Sequence, residues 1–336
     1  MTKRLISILR YTMAVALIAG AFVLSGCGDD GEPAPTQTVY ELIAADPTLS
    51  KIKAQIDLDA DLKAKLQDGT KTYTFFAPND LAMAAILTTL GQSDFSNISP
   101  ATLSVVLNYH LLTSAKYKAD MTAGAKLTTN QGEDITIELT TTGDVKLKTG
   151  ATTNGTVLTA DIKGTNGVLH VVGDYPLVPP TVGGLILATL GKVAQPILLG
   201  KDFSILASCI LKADAGKPSA QTIVGAMVGQ TAQTFFAVPN QVFTAASLTA
   251  ASKTAAEWDV IIRGHMVPST TLSTLGDATV PSLIGAGTPN NKTIVTTSST
   301  VKGTANASAV PVVVASKITT SNGVIYPIGG LILHTP

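Results

Sequence analysis

The chain has 336 residues, 23 basic against 23 acidic, with 14% of positions charged and a mean hydropathy of +0.34. Arg4, Arg10 and Arg263 are its only arginines, and no basic patch lies beyond the first ten residues. That excludes the counterion-displacing surface of a nucleic-acid binder, while roughly 300 residues beyond the N-terminus suffice for two domains.

In chain order, Lys3, Arg4 and Arg10 precede an uncharged, mostly apolar run over 11–24. Its length suits a signal-peptide apolar region and is too short to span a bilayer. The run ends in Leu24-Ser25-Gly26-Cys27, which resembles the bacterial lipobox, whose Cys is acylated before cleavage. An ordinary secretory signal with an incidental Cys is the alternative. Residues 1–26 thus read as a lipoprotein signal peptide, and membrane attachment through lipidated Cys27 in a bacterial cell envelope is expected. Removing them takes three basic residues and leaves a net charge near −3. Residues 27–37, acidic and rich in Gly and Pro, read as a flexible tether.

From Val39 to Leu66 apolar residues recur at helical spacing, with a stop near Gly69. Tyr73 to Ala77 reads as a strand, and Pro78-Asn79-Asp80 caps a helix through Leu90. Ser99-Pro100 supplies an N-cap and a first-turn Pro to a helix whose stripe is Leu103, Val106, Leu107 and His110. The period then becomes two at Ile135, Ile137 and Leu139, and again at Val145 and Leu147. Gly143-Asp144 and Asn154-Gly155 between such runs predict hairpins.

The pattern then repeats. Thr74-Phe75-Phe76-Ala77 returns as Thr234-Phe235-Phe236-Ala237, and Asn166-Gly167-Val168-Leu169 as Asn322-Gly323-Val324-Ile325. The His110 helix returns as Trp258, Ile261, Ile262 and His265, opened by a capping-box pattern at Thr254 and Glu257. Strands are predicted at 293–297 and 310–318. The apolar run 181–200 carries Lys192 and Pro196, so it is expected to open the second repeat as buried helices, not to cross a membrane. Helices followed by strands, twice, give an α+β class, with domains at 38–180 and 181–336.

Three blocks in the first repeat resemble the fasciclin family: the Thr74–Asp80 strand-to-helix turn, the Tyr109-His110 pair, and Asp161-Ile162 followed by Asn166–Val171 and Pro179-Pro180. The resemblance implies two tandem fasciclin-like domains, each a β-sheet wedge or sandwich with helices packed on it. It implies a surface adhesion or matrix-interaction protein that binds protein or polysaccharide without catalysis. Carried over residue by residue, it points to Tyr109, His110, Asp161 and Ile162 as partner-binding candidates. The second repeat departs from the pattern: Arg263-Gly264 precede His265, Tyr326 stands where His170 does, and Lys317 replaces the Asp before Ile318.

His110 also reads as a core histidine satisfied by backbone, His170 as a structural strand residue, and His334 as too near the C-terminus to pack. Cys209, alone in an apolar stretch, reads as a buried thiol, not a nucleophile. Asp57, Asp59 and Asp61 lack the Gly and Glu of a calcium loop. Four scattered histidines give no metal spacing and no cofactor is expected. Residues 287–293 lack the Gly that a phosphate loop needs before its Lys and read as a turn into a strand. Alternatives to adhesion are an envelope carrier of a small apolar ligand, signalled by an apolar cleft with few polar groups, and an envelope hydrolase.

Overall fold

The computed structural model describes residues 33–149, 154–284 and 292–335. The signal segment, Cys27 and the turn at 287–291 lie outside the described residues. Thr38 opens helix α1 (Val39–Ala45) with a reciprocal capping box to Glu41. α2 (Ser50–Leu58) and α3 (Ala60–Gln67) follow, broken at Asp59, whose extended backbone and carboxylate cap the Leu62 N–H at 3.0 Å. The acidic trio is therefore a cap and a helix end: Asp57 takes Lys53, Lys63 and the Tyr40 hydroxyl, which hold its carboxyl well below the usual range. Strand β1 (Tyr73–Pro78) leads into α4 (Asp80–Leu90), capped by the Asn79 side chain on the Ala82 N–H, as the sequence predicts.

α5 (Pro100–Tyr109) starts on the expected Pro, but Ser99 does not cap it. Ser99 is buried, and its N–H donates to the Leu199 carbonyl at 2.7 Å. The strands β2 (Leu111–Leu112), β3 (Lys126–Thr128), β4 (Asp134–Leu139), β5 (Val145–Lys148), β6 (Gly155–Gly164) and β7 (Gly167–Gly173) complete this half. They form one sheet in the order β2-β1-β7-β6-β5-β4-β3. β1 and β7 pair in parallel toward one end of it, with only β2 outside them, and the other pairs are antiparallel. Every residue of β1 is buried, as expected of a strand covered on both faces. Neighbours point to opposite sides: Phe75 joins the helical core with Ile43, Ile52 and Leu62, and Phe76 joins Tyr109, Ile135, Ile137 and Leu147.

The second half repeats the order. Helices α6 (Pro180–Thr189), α7 (Ala194–Leu199), α8 (Ser204–Asp214) and α9 (Ile223–Gly229) precede β8 (Gln233–Ala237). Then come α10 (Asn240–Ala245), α11 (Ala255–Arg263) and strands β9 (Met266–Pro268), β10 (Ala278–Pro281), β11 (Thr293–Thr296), β12 (Thr300–Gly303), β13 (Val310–Pro311), β14 (Ile318–Thr320) and β15 (Gly323–Pro327). The capping box on α11 forms as predicted. The single strand expected over 310–318 does not form. Pro311, which has no N–H to donate, ends β13, and a 3-10 turn over Val314–Ser316 separates it from β14. The sheet consequently divides into β10-β11-β12-β13 and β14-β15-β8-β9, with β15 parallel to β8 as β7 is to β1.

Residues Pro35–Pro336 cluster as one compact unit. Inside it, α6 packs Ile186 against Ile86, Leu87 and Leu90 of α4, and α7 divides its apolar side chains between that cluster and the second core. No cap bond comes from within α6; the Glu133 carboxylate instead accepts the Thr181 N–H and hydroxyl at its first turn. Gln195 Nε2 donates to the Leu90 carbonyl at 2.9 Å. Among the described residues no helix is long and apolar enough to cross a membrane.

Candidate binding surface

A set of buried polar side chains tied to backbone atoms holds each half together. The Asn166 side chain accepts the Val39 N–H at 2.8 Å and donates to the Leu66 and Asp68 carbonyls, joining the start of α1 to the end of α3. Asn322 does the same for Val193, Met227 and Gln230. The next residue, Gly167 or Gly323, runs at φ +145 or +157, where a Cβ would strike the carbonyl of Tyr73 or Gln233.

His110 ends α5 with Nδ1 2.8 Å from the Val106 carbonyl, while Nε2 accepts the Leu177 N–H at 2.9 Å. An acceptor role at Nε2 requires the neutral ring protonated on Nδ1. Complete burial enforces that form and pushes the histidine down to about 4. His265 repeats it with the Ile261 carbonyl and the Ile332 N–H, and is likewise pushed by burial to about 4. Tyr109 is 0% exposed, and its hydroxyl donates to the Asp134 carbonyl at 2.7 Å. Tyr109 and His110 therefore present no surface to a partner.

Asp161 and Ile162 lie elsewhere, on β6. Pairing of β6 with β7 slips twice between Val157 and Ile162, and at this bulge Asp161 takes φ +62. Three contacts hold that left-handed backbone. Its N–H donates to His170 Nδ1 at 3.2 Å, its carboxylate accepts the Lys118 N–H at 2.7 Å, and His170 Nε2 lies 2.8 Å from the Lys116 carbonyl. His170 stacks on Phe76 with centroids 5.3 Å apart, and burial holds it below the usual histidine range. The Asp161 side chain stays 38% exposed, and Ile162 is half-buried on the helical core. The four candidates thus divide into two buried frame residues and two accessible ones on a constrained bulge.

At this place the second half differs. The Tyr326 hydroxyl donates to the Leu272 carbonyl and its ring stacks on Phe236, doing what His170 does. Lys317 has φ −57 and donates through Nζ to the Ser273 carbonyl at 2.8 Å, so an ammonium donor stands where Asp161 offers an acceptor.

His334 packs, contrary to expectation, with Nε2 3.1 Å from the Gly264 carbonyl. Cys209 is buried, which pushes its thiol up to about 12, an inert group as read from the sequence. No cluster of three metal-ligating side chains occurs among the described residues. Sequence reasoning missed an apolar groove beside the 93–98 loop, lined by α2, α5 and Lys201. Its signal was Leu58, an apolar residue off the buried stripe of α2.

The sequence profile of the Fasciclin domain matches residues 47–179. The chain is 32% identical over 109 residues to the uncharacterized protein sll1735 of Synechocystis sp., covering 31% of this chain and 72% of that one. It is 28% identical over 143 residues to protein sll1483 of the same organism, covering 43% and 74%. Among solved structures it is similar to a FAS1 domain pair from the insect cell adhesion molecule Fasciclin I, at 15% identity and a TM-score of 0.32, covering 85% of this chain and 97% of that chain.

Proposed function

Because the chain belongs to the fasciclin domain family, we propose that it serves adhesion or interaction without catalysis, and that its first half carries the contact surface at Asp161 and Ile162. The family assignment supports the general role. The observation that carries the site is the left-handed Asp161, a non-glycine residue pinned by Lys118 and His170 with its carboxylate still reaching solvent. Non-glycine backbone held off its preferred region by surrounding contacts clusters at functional sites. Lipid on Cys27 would fix the protein to a bacterial envelope membrane, with residues 27–37 spacing the two repeats, 38–180 and 181–336, away from it. The partner is a surface or matrix protein or a polysaccharide bearing donors for a carboxylate beside an apolar spot.

The test is attachment of host cells to a matrix-coated surface, comparing wild type, a deletion strain, and the deletion complemented with Asp161→Asn plus Ile162→Thr. The proposal expects the deletion to lose attachment and the double variant to recover less than half of it at equal surface abundance. Intact attachment of the deletion strain sinks the adhesion role. Full recovery by the variant moves the contact elsewhere.

A further inference from the structure

The first half seats a helix on a face that the second half repeats and leaves open. Val182, Leu185 and Ile186 of α6 pack with Ile86, Leu87 and Leu90 of α4 and with Tyr175 and Val178 beyond β7. Two pairs of bonds fix the matching positions in the second half. Asp80 accepts the Lys51 N–H at 2.8 Å as Asn240 accepts that of Ile205 at 2.9 Å, and His110 takes the Leu177 N–H as His265 takes that of Ile332. Ile86 and Leu87 thus correspond to Ala246 and Ser247, and Val178 to Leu333. Where the large side chains are lost, a groove of about 600 Å³ opens, lined by Val242, Ala245, Ala246, Leu248, Leu331 and Leu333. Apolar surface of this kind left in water marks an interface.

Three features select the occupant. The face is uncharged: residues 238–252 and 329–336, which supply every lining side chain, contain no Asp, Glu, Lys or Arg. It carries a ridge beside its hollow, since Leu333 is 40% exposed and Ala245 and Ala246 are exposed with it. It also lacks the carboxylate by which the first half receives a helix N-terminus. Strand register places Lys292, just before β11, where Glu133 stands just before β4, and Lys292 acts on His334 at the end of this face. A helix arriving as α6 does would bring its positive end to an ammonium group. A ridge and a hollow on one neutral patch instead complement a second such patch across a two-fold axis, where each contact is made twice. We propose that this face pairs two copies of the chain, each Leu333 entering the hollow beside Ala246 of the other.

The test irradiates cells making the full chain with the photocrosslinker benzoylphenylalanine in place of Ala245. A product of twice the chain's mass should form, with its crosslinked peptides drawn from 238–248 and 329–335 of this chain alone. The same probe in place of Leu81, 79% exposed on α4, should give none. Ala246→Lys should lower the product on the order of tenfold by setting two ammonium groups face to face. Co-expressing Ala246→Lys and Ala246→Glu copies should restore it. Each variant is first shown to unfold at the wild-type urea concentration. Absence of the product, crosslinks to another protein or outside this face, equal product from the Leu81 position, persistence in Ala246→Lys, or no recovery in the mixed copies overturns the proposal.

Discussion

The two halves of this protein keep one set of side chains and exchange another. Asn166 and Asn322, His110 and His265, and Thr74 and Thr234 make matching bonds to matching backbone atoms; Thr74 bridges Ser114 and Lys116 as Thr234 bridges Thr270 and Leu272. The exchanged set lies on β6 and β7 and their counterparts, where Asp161 and His170 give way to Lys317 and Tyr326 and one sheet becomes two. A buried side chain bound to backbone can be exchanged only for one that reaches the same group, as Tyr326 reaches the Leu272 carbonyl where His170 reaches that of Lys116, because its loss strands polar groups that water cannot reach. A half-exposed bulge has no such constraint. The frame is therefore duplicated and the surface is not.

The strongest challenge to that view is removal of a frame residue. Asn166→Ala and Asn322→Ala should each cost about 3 kcal/mol or more, since each leaves three backbone partners unmatched. Urea unfolding curves should show comparable losses for the two; a change under ~1 kcal/mol in either would mean the frame is not equivalent.

Acid should act on both halves alike. His110 and His265 titrate near 6.5 when unfolded and are held to about 4 when folded, so the folded state favours their neutral form. Their contribution is complete above pH 6.5 and is lost as pH falls through 4, by up to about 3 kcal/mol each. His170 and His334, also lowered by burial, add in the same sense. The unfolding midpoint measured from pH 7 to 4 should therefore fall steeply, and a flat profile would contradict the neutral buried rings.

The smallest effect belongs to an exchange between halves. Tyr326→His should cost only about 1 kcal/mol, because the first half shows an imidazole stacking on the equivalent Phe and bonding the equivalent carbonyl. A loss near that of Tyr326→Ala, about 3–5 kcal/mol, would show the two environments are not interchangeable.

Much of the frame was legible because its signals are local or repeated. Asn79, Thr254 and Glu257 announced their helices, and the recurrence of Asn-Gly and of His on an apolar stripe revealed the duplication. What stayed hidden depended on distant partners. Ser99 looked like a cap, but its side chain makes no cap bond while its N–H ties it to Leu199, 100 residues away, and the first turn of α6 is held by Glu133, 48 residues upstream. The division at Pro311 was written in the chain and was overridden by the run of valines around it. For the site, the family pattern named four residues together, and only burial separates Tyr109 and His110 from Asp161 and Ile162.

The most direct test of a shared frame with a one-sided surface is the attachment assay run on matched substitutions, Asp161→Asn and Lys317→Gln. Asn tolerates the left-handed backbone and can still accept the Lys118 N–H, and Gln can still donate to the Ser273 carbonyl, so both variants should unfold at the wild-type urea concentration. The account predicts that Asp161→Asn weakens attachment and Lys317→Gln leaves it unchanged. Equal loss from both, or loss from Lys317→Gln alone, would contradict it.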